Sequence, residues 1–196
     1  QDSTGQWIKD RYPALFYITG RRSYRGMYRG GDARLVDADW VNRMLRDSGS
    51  ALGRLYPNYR GGDIWSETAG AIFGVKEGDT PSYLNLIDTG LSDVTDPAWN
   101  PTWGGWGGRL AGDGFRWTDD PTDGRPLPQD LDPRMAGVYQ WRPAFQADFA
   151  ARARWAVQSP AEATYPPRIL VAGGPVRQAR IGAPISIAAE AGEGVS

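Results

Sequence analysis

Short apolar runs bounded by proline and glycine alternate with helix-like segments along the first part of this chain. Residues 14–18 form one such run between Pro13 and Gly20. This pattern predicts a buried strand, preceded by a helix that ends before the proline. A second helix is predicted next, because apolar residues recur at helical spacing and are preceded by a capping aspartate and followed by glycine. Its residues are Asp37 or Asp39 as cap, Trp40, Val41, Met44 and Leu45 on the apolar face, and Gly49 after the last turn.

A strand, a tight turn and a helix are predicted in succession further along the chain. Residues 71–75 form an apolar run that leads directly into the turn at residues 77–80. Thr80 as N-cap with Pro81 at the first helical position is a strong helix start. The apolar stripe of this helix is Tyr83, Leu84 and Ile87, and Gly90 ends it. Another helix is predicted over residues 143–158, with Phe145, Phe149 and Ala156 on one side and Asp148, Arg152 and Trp155 on another.

This alternation of helices and buried strands predicts an α/β domain over residues 1–164. Residues 165–196 begin with a proline-rich linker, and the segments 168–172 and 181–189 are predicted strands that open a β domain. Residues 93–134 show little periodicity, and a stretch of that length inside a compact domain is usually functional or mobile.

Two missing residue types exclude much chemistry. The 196 residues include no His and no Cys, which excludes imidazole bases, thiolate nucleophiles, zinc sites of the usual kind and disulfides. Carboxylates, hydroxyls, arginine or an oxygen-bound cation remain available for catalysis. The net charge of −1 argues against nucleic acid and anionic membranes as partners. No run approaches the roughly 20 apolar residues that a membrane span needs.

The turn Glu77-Gly78-Asp79-Thr80 is the most specific feature that the residues themselves provide. Ligands of open α/β sheets bind at the carboxyl ends of strands, and this turn places two carboxylates there. If Thr80 caps the helix, Asp79 can face a ligand. Carboxylates at a helix start also serve simply as caps or as partners of the helix dipole, and that alternative stays open.

Arginine and tyrosine are interleaved in the loop that follows the first predicted strand. Arg25 and Arg29 are candidates for binding sugar hydroxyls, carboxylate or phosphate, and the neighbouring tyrosines could stack on a ligand. A solvated loop is the alternative interpretation.

Four tryptophans lie within residues 99–117, around the segment Trp103-Gly104-Gly105-Trp106-Gly107-Gly108-Arg109. A glycine-rich loop cannot bury these indoles locally, so they either fill the core of the domain or form a flat apolar surface for sugar rings. Trp103, Trp106 and Arg109 are therefore candidate substrate-binding residues.

Four segments resemble, in order, a bacterial family often labelled cellulose-binding proteins. They are residues 2–8, 77–84, 103–109 and 145–152. Members of that family pair a nucleoside-hydrolase-like domain, with a Rossmann-like layered sheet and flanking helices, with a C-terminal immunoglobulin-like β-sandwich domain. The resemblance spans residues 1–167 and corresponds to the later part of the hydrolase-like domain.

The resemblance implies a calcium-bound sugar site in which Asp79 completes the metal shell. We expect Glu77 either to support the metal ligands from behind or to contact the substrate. It also implies that an earlier segment of the same domain supplies the remaining aspartates, because this sequence has no N-terminal aspartate cluster. The expected function is calcium-assisted hydrolysis of a glycosidic or N-ribosyl bond by a secreted or periplasmic protein, acting on a carbohydrate or nucleoside-like molecule. The alternatives are a non-catalytic polysaccharide-binding protein that uses the tryptophan-rich loop, and a degenerate domain that serves as a scaffold.

Overall fold

The computed structural model describes residues 3–20, 22–60, 73–75, 77, 81–89, 100–121, 132–165, 168–174 and 176–192. Helices and small sheets are mixed along these ranges, which fits the predicted α/β fold. No helix in the described ranges is both long enough and apolar enough to span a bilayer.

The helices are short, and side-chain caps fix several of their starts. The α-helices are α1 (Ser3–Arg11), α2 (Ala38–Val41), α3 (Ala51–Leu55), α4 (Pro133–Tyr139) and α5 (Arg142–Trp155). The α2 helix continues as a π-helical turn, Asn42–Arg46, and 3-10 helices cover Ser23–Met27, Ala33–Leu35, Pro81–Leu86 and Pro101–Trp103. The predicted cap of the second helix is confirmed, since the Trp40 backbone N–H donates to Asp37 Oδ1 at 2.7 Å. The helix predicted from Pro81 is present in the tighter 3-10 form.

Within the described ranges the strands form three small sheets. They are β1 (Tyr17–Thr19), β2 (Tyr59–Arg60), β3 (Phe73–Gly74), β4 (Leu110–Asp113), β5 (Arg116–Asp119), β6 (Arg168–Val171) and β7 (Ala189–Gly192). In the largest sheet the order is β1-β5-β4, with β1 parallel and β4 antiparallel to β5. The pairs β2–β3 and β6–β7 are both antiparallel.

Three sequence predictions differ from these strands. The first strand begins at Tyr17 rather than at residue 14, and the hairpin of β4 and β5 lies inside the segment 93–134 that was expected to be irregular. The predicted strand over residues 181–189 is wrong, because the strand at this end is Ala189–Gly192. The β6–β7 hairpin is what the structure shows of a C-terminal β region, and a β-sandwich there stays a prediction.

The described part of the core consists of two clusters of apolar side chains. One comprises Val36, Trp40, Val41, Leu45, Val75 and Ala150, and the other comprises Met27, Leu84, Val138 and Phe145. The α5 helix contributes to both clusters through Ala150 and Phe145. It therefore joins the two halves of the core, and the candidate site lies along this helix.

A fully buried arginine on α5 holds the arginine-rich loop in place. Arg142 is 0% exposed, and its guanidinium donates to the backbone carbonyls of Gly26 at 2.6 Å, Arg29 at 2.8 Å and Asp32 at 3.3 Å, and also to that of Gly30. Burial lowers the pKa of Arg142 to about 10. Four carbonyls directed at one cation fix the path of the loop after β1, because a buried guanidinium needs acceptors at fixed positions.

A buried aspartate anchors the other end of the same loop. The Oδ2 atom of Asp119, at the end of β5, accepts hydrogen bonds from the backbone N–H groups of Arg22 at 2.7 Å and Ser23 at 2.8 Å. Asp119 is 4% exposed. This carboxylate therefore holds the start of a 3-10 helix, a role that sequence reasoning did not identify.

Candidate functional site

Glu77 opens onto a cavity of about 310 Å³ between the end of β3 and the α5 helix. Its apolar wall is formed mainly by Met27, Val75, Leu84, Ile87, Phe145 and Phe149. Its polar lining is Glu77, Tyr83, Gln146, Asp148 and Arg152. The volume is at the lower end of the range of about 300–1,000 Å³ for small-molecule sites.

Glycine brings β3 close to the loop before α2 and so positions Glu77. Gly74 has a φ of +80°, and a side chain there would collide with the backbone of Val36 and Asp37. The next residue, Val75, donates its backbone N–H to the Val36 carbonyl at 2.8 Å. The strand is thus fixed two to three residues before Glu77, because only glycine tolerates this conformation and this close approach.

A tyrosine at the C-terminal end of α3 is hydrogen-bonded to the Glu77 carboxylate. Tyr56 donates its hydroxyl to Glu77 Oε1 at 2.7 Å, and its ring packs edge-on against Phe149 with 5.6 Å between the centroids. Burial, and then the hydrogen bond to Glu77, raise the pKa of the Tyr56 hydroxyl well above its usual range. The hydroxyl therefore stays protonated, and it orients one oxygen of an otherwise exposed carboxylate.

Two carboxylates of the cavity both raise the pKa of one tyrosine in its wall. Burial, then the charge of Glu77, then the charge of Asp148 raise the pKa of the Tyr83 hydroxyl. Asp148 is 4% exposed, and its Oδ2 accepts from Arg152 Nε at 2.7 Å. The cavity is therefore acidic at two points, with one arginine that is already paired.

Asp148 was missed as a site residue by sequence reasoning. The spacing placed it with Arg152 and Trp155 on a face away from Phe145, but Phe145, Gln146 and Asp148 are all buried residues of α5. The available signal was its spacing of three residues from Phe145, since residues three and four apart share a helix face.

The other predicted substrate residues lie outside the described lining of this cavity. Trp106 packs against the cluster of Met27, Leu84, Val138 and Phe145, behind the cavity wall, so core filling is its role here. Trp103 is 44% exposed in its 3-10 helix, and Arg109 lies along Gly104 in the glycine-rich loop.

Arg25 and Arg29 belong to the loop that Arg142 holds. Arg25 donates its Nε to the Tyr24 hydroxyl at 3.1 Å, and the backbone carbonyl of Arg29 is an acceptor for Arg142. Both side chains are half-buried. The structure thus does not bring either arginine into the cavity beside Glu77.

A buried asparagine explains the glycine-rich segment. Asn85 is 3% exposed, accepts from the Gly107 N–H at 3.0 Å and donates to the Gly108 carbonyl at 3.3 Å. A side chain at Gly105 would lie 2.6 Å from Asn85 Oδ1. The loop can close over the asparagine only because its glycines leave this space, and Trp106 is thereby set against the core.

Aromatic and proline side chains line a second, open groove near the end of the β4–β5 hairpin. Its lining residues are Phe16, Asn100, Pro101, Gly114 and Trp117, around a volume of about 320 Å³. Trp117 donates its indole N–H to the Gly114 carbonyl at 3.0 Å, which fixes the ring. Trp103 follows Pro101 in the adjoining 3-10 helix.

The predicted calcium site falls largely outside the described residues. Asp79 is not among them, and within the described ranges no group of three or more acidic, histidine or cysteine side chains could hold a metal ion.

Comparison with known proteins gives one match. The family model described as "Cellulose-binding Sde182, nucleoside hydrolase-like domain" matches residues 1–110. No curated protein and no solved structure matches the chain. The matched range contains β1, the arginine-rich loop, Glu77 and the glycine-rich segment, and it covers more than half of the chain. The chain therefore belongs to the Sde182 family of cellulose-binding proteins with a nucleoside hydrolase-like domain.

Proposed function

We propose that this chain binds a saccharide in the cavity beside Glu77, as part of a domain that hydrolyses a glycosidic or N-ribosyl bond. The proposal rests on one observation: Glu77 and Asp148 line the same cavity, and the charges of both carboxylates raise the pKa of Tyr83 in its wall. The family description supports a carbohydrate ligand.

The lining suits a polyhydroxylated ring better than a flat apolar molecule or an anion. Its two carboxylates are acceptors for hydroxyl groups, and the Arg152 guanidinium is already paired with Asp148. Glu77 can accept a hydroxyl hydrogen bond on the oxygen that Tyr56 leaves open. Hydrogen bonds to charged acceptors are worth about 1.5–3 kcal/mol each.

The same charges favour cleavage of a glycosidic bond. Positive charge develops on the sugar ring in an oxocarbenium-like transition state. Carboxylates in a partly desolvated cavity stabilise such a charge more than water does. Glu77 and Asp148 thus supply electrostatic stabilisation, and the activation of water would need a further group.

Calcium would require ligands beyond those of the described residues. The described acidic side chains form no group of three, and Glu77 is already hydrogen-bonded to Tyr56. Calcium takes six to eight oxygen ligands. We propose that Asp79 is one of them and that other residues complete the shell. A calcium titration with Asp79→Ala in the same protein tests this role, and unchanged calcium affinity would disprove it.

Isothermal titration with cellobiose and with uridine tests saccharide binding. Glu77→Gln should weaken binding of the accepted probe about tenfold or more, because a charged acceptor becomes a neutral one. Glu162→Gln is the matched control, since Glu162 is an exposed glutamate that caps a turn at Ser159. Absence of binding to both probes, or equal affinity of Glu77→Gln and wild type, would refute the proposal.

Non-catalytic polysaccharide binding is the second candidate function. The observation that favours it is the open groove of Phe16, Pro101 and Trp117, with the exposed Trp103 in the adjoining helix. Retention on cellulose should fall with Trp117→Ala and Trp103→Ala. The control is Trp141→Ala, an equally exposed indole, 45% against 44% for Trp103, that is not among the lining residues of the groove. Equal retention of all three variants would exclude this function for the groove.

A further inference from the structure

The two carboxylate oxygens of the buried Asp148 differ in their hydrogen bonding. Its side chain is 3% exposed, and Oδ2 is occupied by Arg152 Nε. Oδ1 has no partner among the described residues. Buried polar atoms are almost always hydrogen-bonded, and a buried acceptor without a donor costs stability. This cost calls for an explanation in terms of what the cavity binds.

The surroundings of Asp148 offer few hydrogen-bond donors to this oxygen. Gln146, which lines the same cavity, uses its Nε2 to donate to the Leu35 carbonyl at 2.6 Å. Arg152 is engaged with the other carboxylate oxygen. The apolar part of the wall contributes no donors, and the Tyr83 hydroxyl, which also lines the cavity, makes no hydrogen bond to Oδ1. A ligand that satisfies Oδ1 must therefore bring its own donor.

The charge of the cavity specifies the kind of ligand. Glu77 and Asp148 are acidic, Arg152 neutralises one of them, and no other lysine or arginine is among the described lining residues. An anionic group such as a phosphate or carboxylate would be repelled. A neutral ring with several hydroxyl groups can donate to both carboxylates while its C–H faces contact Leu84 and Phe145.

We infer that Asp148 determines the specificity of this cavity by accepting, through Oδ1, a hydrogen bond from one ring hydroxyl of a neutral saccharide. This inference rests on the proposed saccharide binding. It assigns the second anchor of the ligand to α5, whereas the first, Glu77, comes from the loop after β3. Two acceptors on different elements fix the orientation of a ring, which one acceptor cannot do.

Asp148→Asn tests this role with little change in shape. Its amide oxygen can keep the hydrogen bond from Arg152, and its NH₂ group then replaces Oδ1, so a donor stands where an acceptor stood. Titration of cellobiose and uridine into the wild type should give an affinity that Asp148→Asn lowers about 10- to 100-fold. Asp132→Asn is the matched control, because Asp132 pairs with Arg134 at 2.6 Å outside the cavity.

Monodeoxy analogues of the accepted probe then identify the hydroxyl. Removal of one particular hydroxyl should weaken binding to the wild type and have little further effect on Asp148→Asn. If Asp148→Asn lowers the Tm and leaves the affinity unchanged, Asp148 is only structural and the inference is wrong. It is also wrong if every deoxy analogue loses the same affinity in both proteins, or if calcium alone binds and Asp148→Asn abolishes that binding.

The two proposals fail in different ways. Binding that Glu77→Gln weakens and Asp148→Asn leaves unchanged overturns the role of Asp148 and retains the proposed function. Absence of binding by the wild type to both probes overturns the proposed function and the inference with it.

Discussion

Replacement of Arg142 by methionine should cost this protein a large part of its stability. Methionine has a similar length and suits a helix, but it donates no hydrogen bond. The carbonyls of Gly26, Arg29 and Gly30 would lose the donor that Arg142 provides, and the Asp32 carbonyl would keep only the Leu35 backbone N–H at 3.3 Å.

The magnitude follows from the burial of these acceptors. The hydrogen bond to Gly26 is buried, and its carbonyl left alone costs about 1–3 kcal/mol. The other three are part-buried, and each contributes a net value of about 0.5–1.5 kcal/mol. Methionine avoids the free-energy cost of burying a charged guanidinium, and this gain offsets part of the lost hydrogen-bond energy. We expect Arg142→Met to lower the free energy of unfolding by about 3 kcal/mol, a large share of the 5–15 kcal/mol of a typical domain.

Urea unfolding followed by tryptophan fluorescence measures this loss. The matched control is Arg154→Met, the same substitution on the same helix at an exposed position, which should stay within about 0.5 kcal/mol of wild type. With an m-value of about 2 kcal/mol/M, the midpoint of Arg142→Met should fall by about 1.5 M. Equal midpoints for the two variants would refute the reasoning that the four carbonyls depend on this donor.

Three further predictions concern the supports of the site. Asn85→Leu should lower the free energy of unfolding by about 2–4 kcal/mol, because the Gly107 N–H and the Gly108 carbonyl lose their partner. Trp106 should then leave the core and shift the tryptophan emission to the red, and an unchanged emission spectrum would contradict this. Gly74→Ala should lower the free energy of unfolding in urea by more than about 1–2 kcal/mol, because alanine disfavours the positive φ and its Cβ would collide with the Val36 backbone. An unfolding midpoint equal to that of the wild type would show that this position is not strained. The pKa of Asp32 lies at about 2, chiefly through its hydrogen bonds with Arg34, so its stabilising contribution is present above about pH 4 and is lost as the pH falls towards 2. Asp32→Asn should therefore lose less stability than wild type across that window in acid titrations followed by circular dichroism, and identical acid curves would exclude the effect.

Local signals in the sequence identified several elements correctly. The cap at Asp37, the positive φ of Gly49 after the helix, and the α5 helix all depend on residues within one or two turns of each other. Glu77 was also placed correctly after a strand, and the following helix begins at Pro81 as predicted, whereas Thr80, its predicted cap, lies outside the described residues.

The hairpin of β4 and β5 could not be predicted in the same way. Leu110–Asp113 has neither alternation nor β-branched residues, and Gly112 pairs with Trp117 in a conformation with a φ of +154°. Its second strand also pairs with β1, which is distant in the chain and therefore gives no local signal.

The cavity escaped prediction for a related reason. Helical periodicity assigns a charged residue to the solvent face by default, whereas Asp148 is buried by the packing of several elements around α5. Likewise, no local pattern separates Trp106, which fills the core, from Trp103, which stays exposed. Asn85 and the glycines around Trp106 decide that difference, and they meet only in the folded chain.

The parallel pairing of β1 with β5 also has a consequence for the order of folding. Ile18 is opposite Trp117 in the register, so the strand at the start of the chain obtains its described partner only after about a hundred further residues. Closing a loop of that length is slow, and folding rates fall as such distant contacts become dominant. During synthesis on the ribosome, Tyr17–Thr19 would leave the exit tunnel long before Arg116–Asp119, so this parallel pairing cannot form until the later strand has emerged. The three-stranded sheet of β1, β5 and β4 therefore forms late in folding, and a nascent chain that ends before residue 116 should lack it.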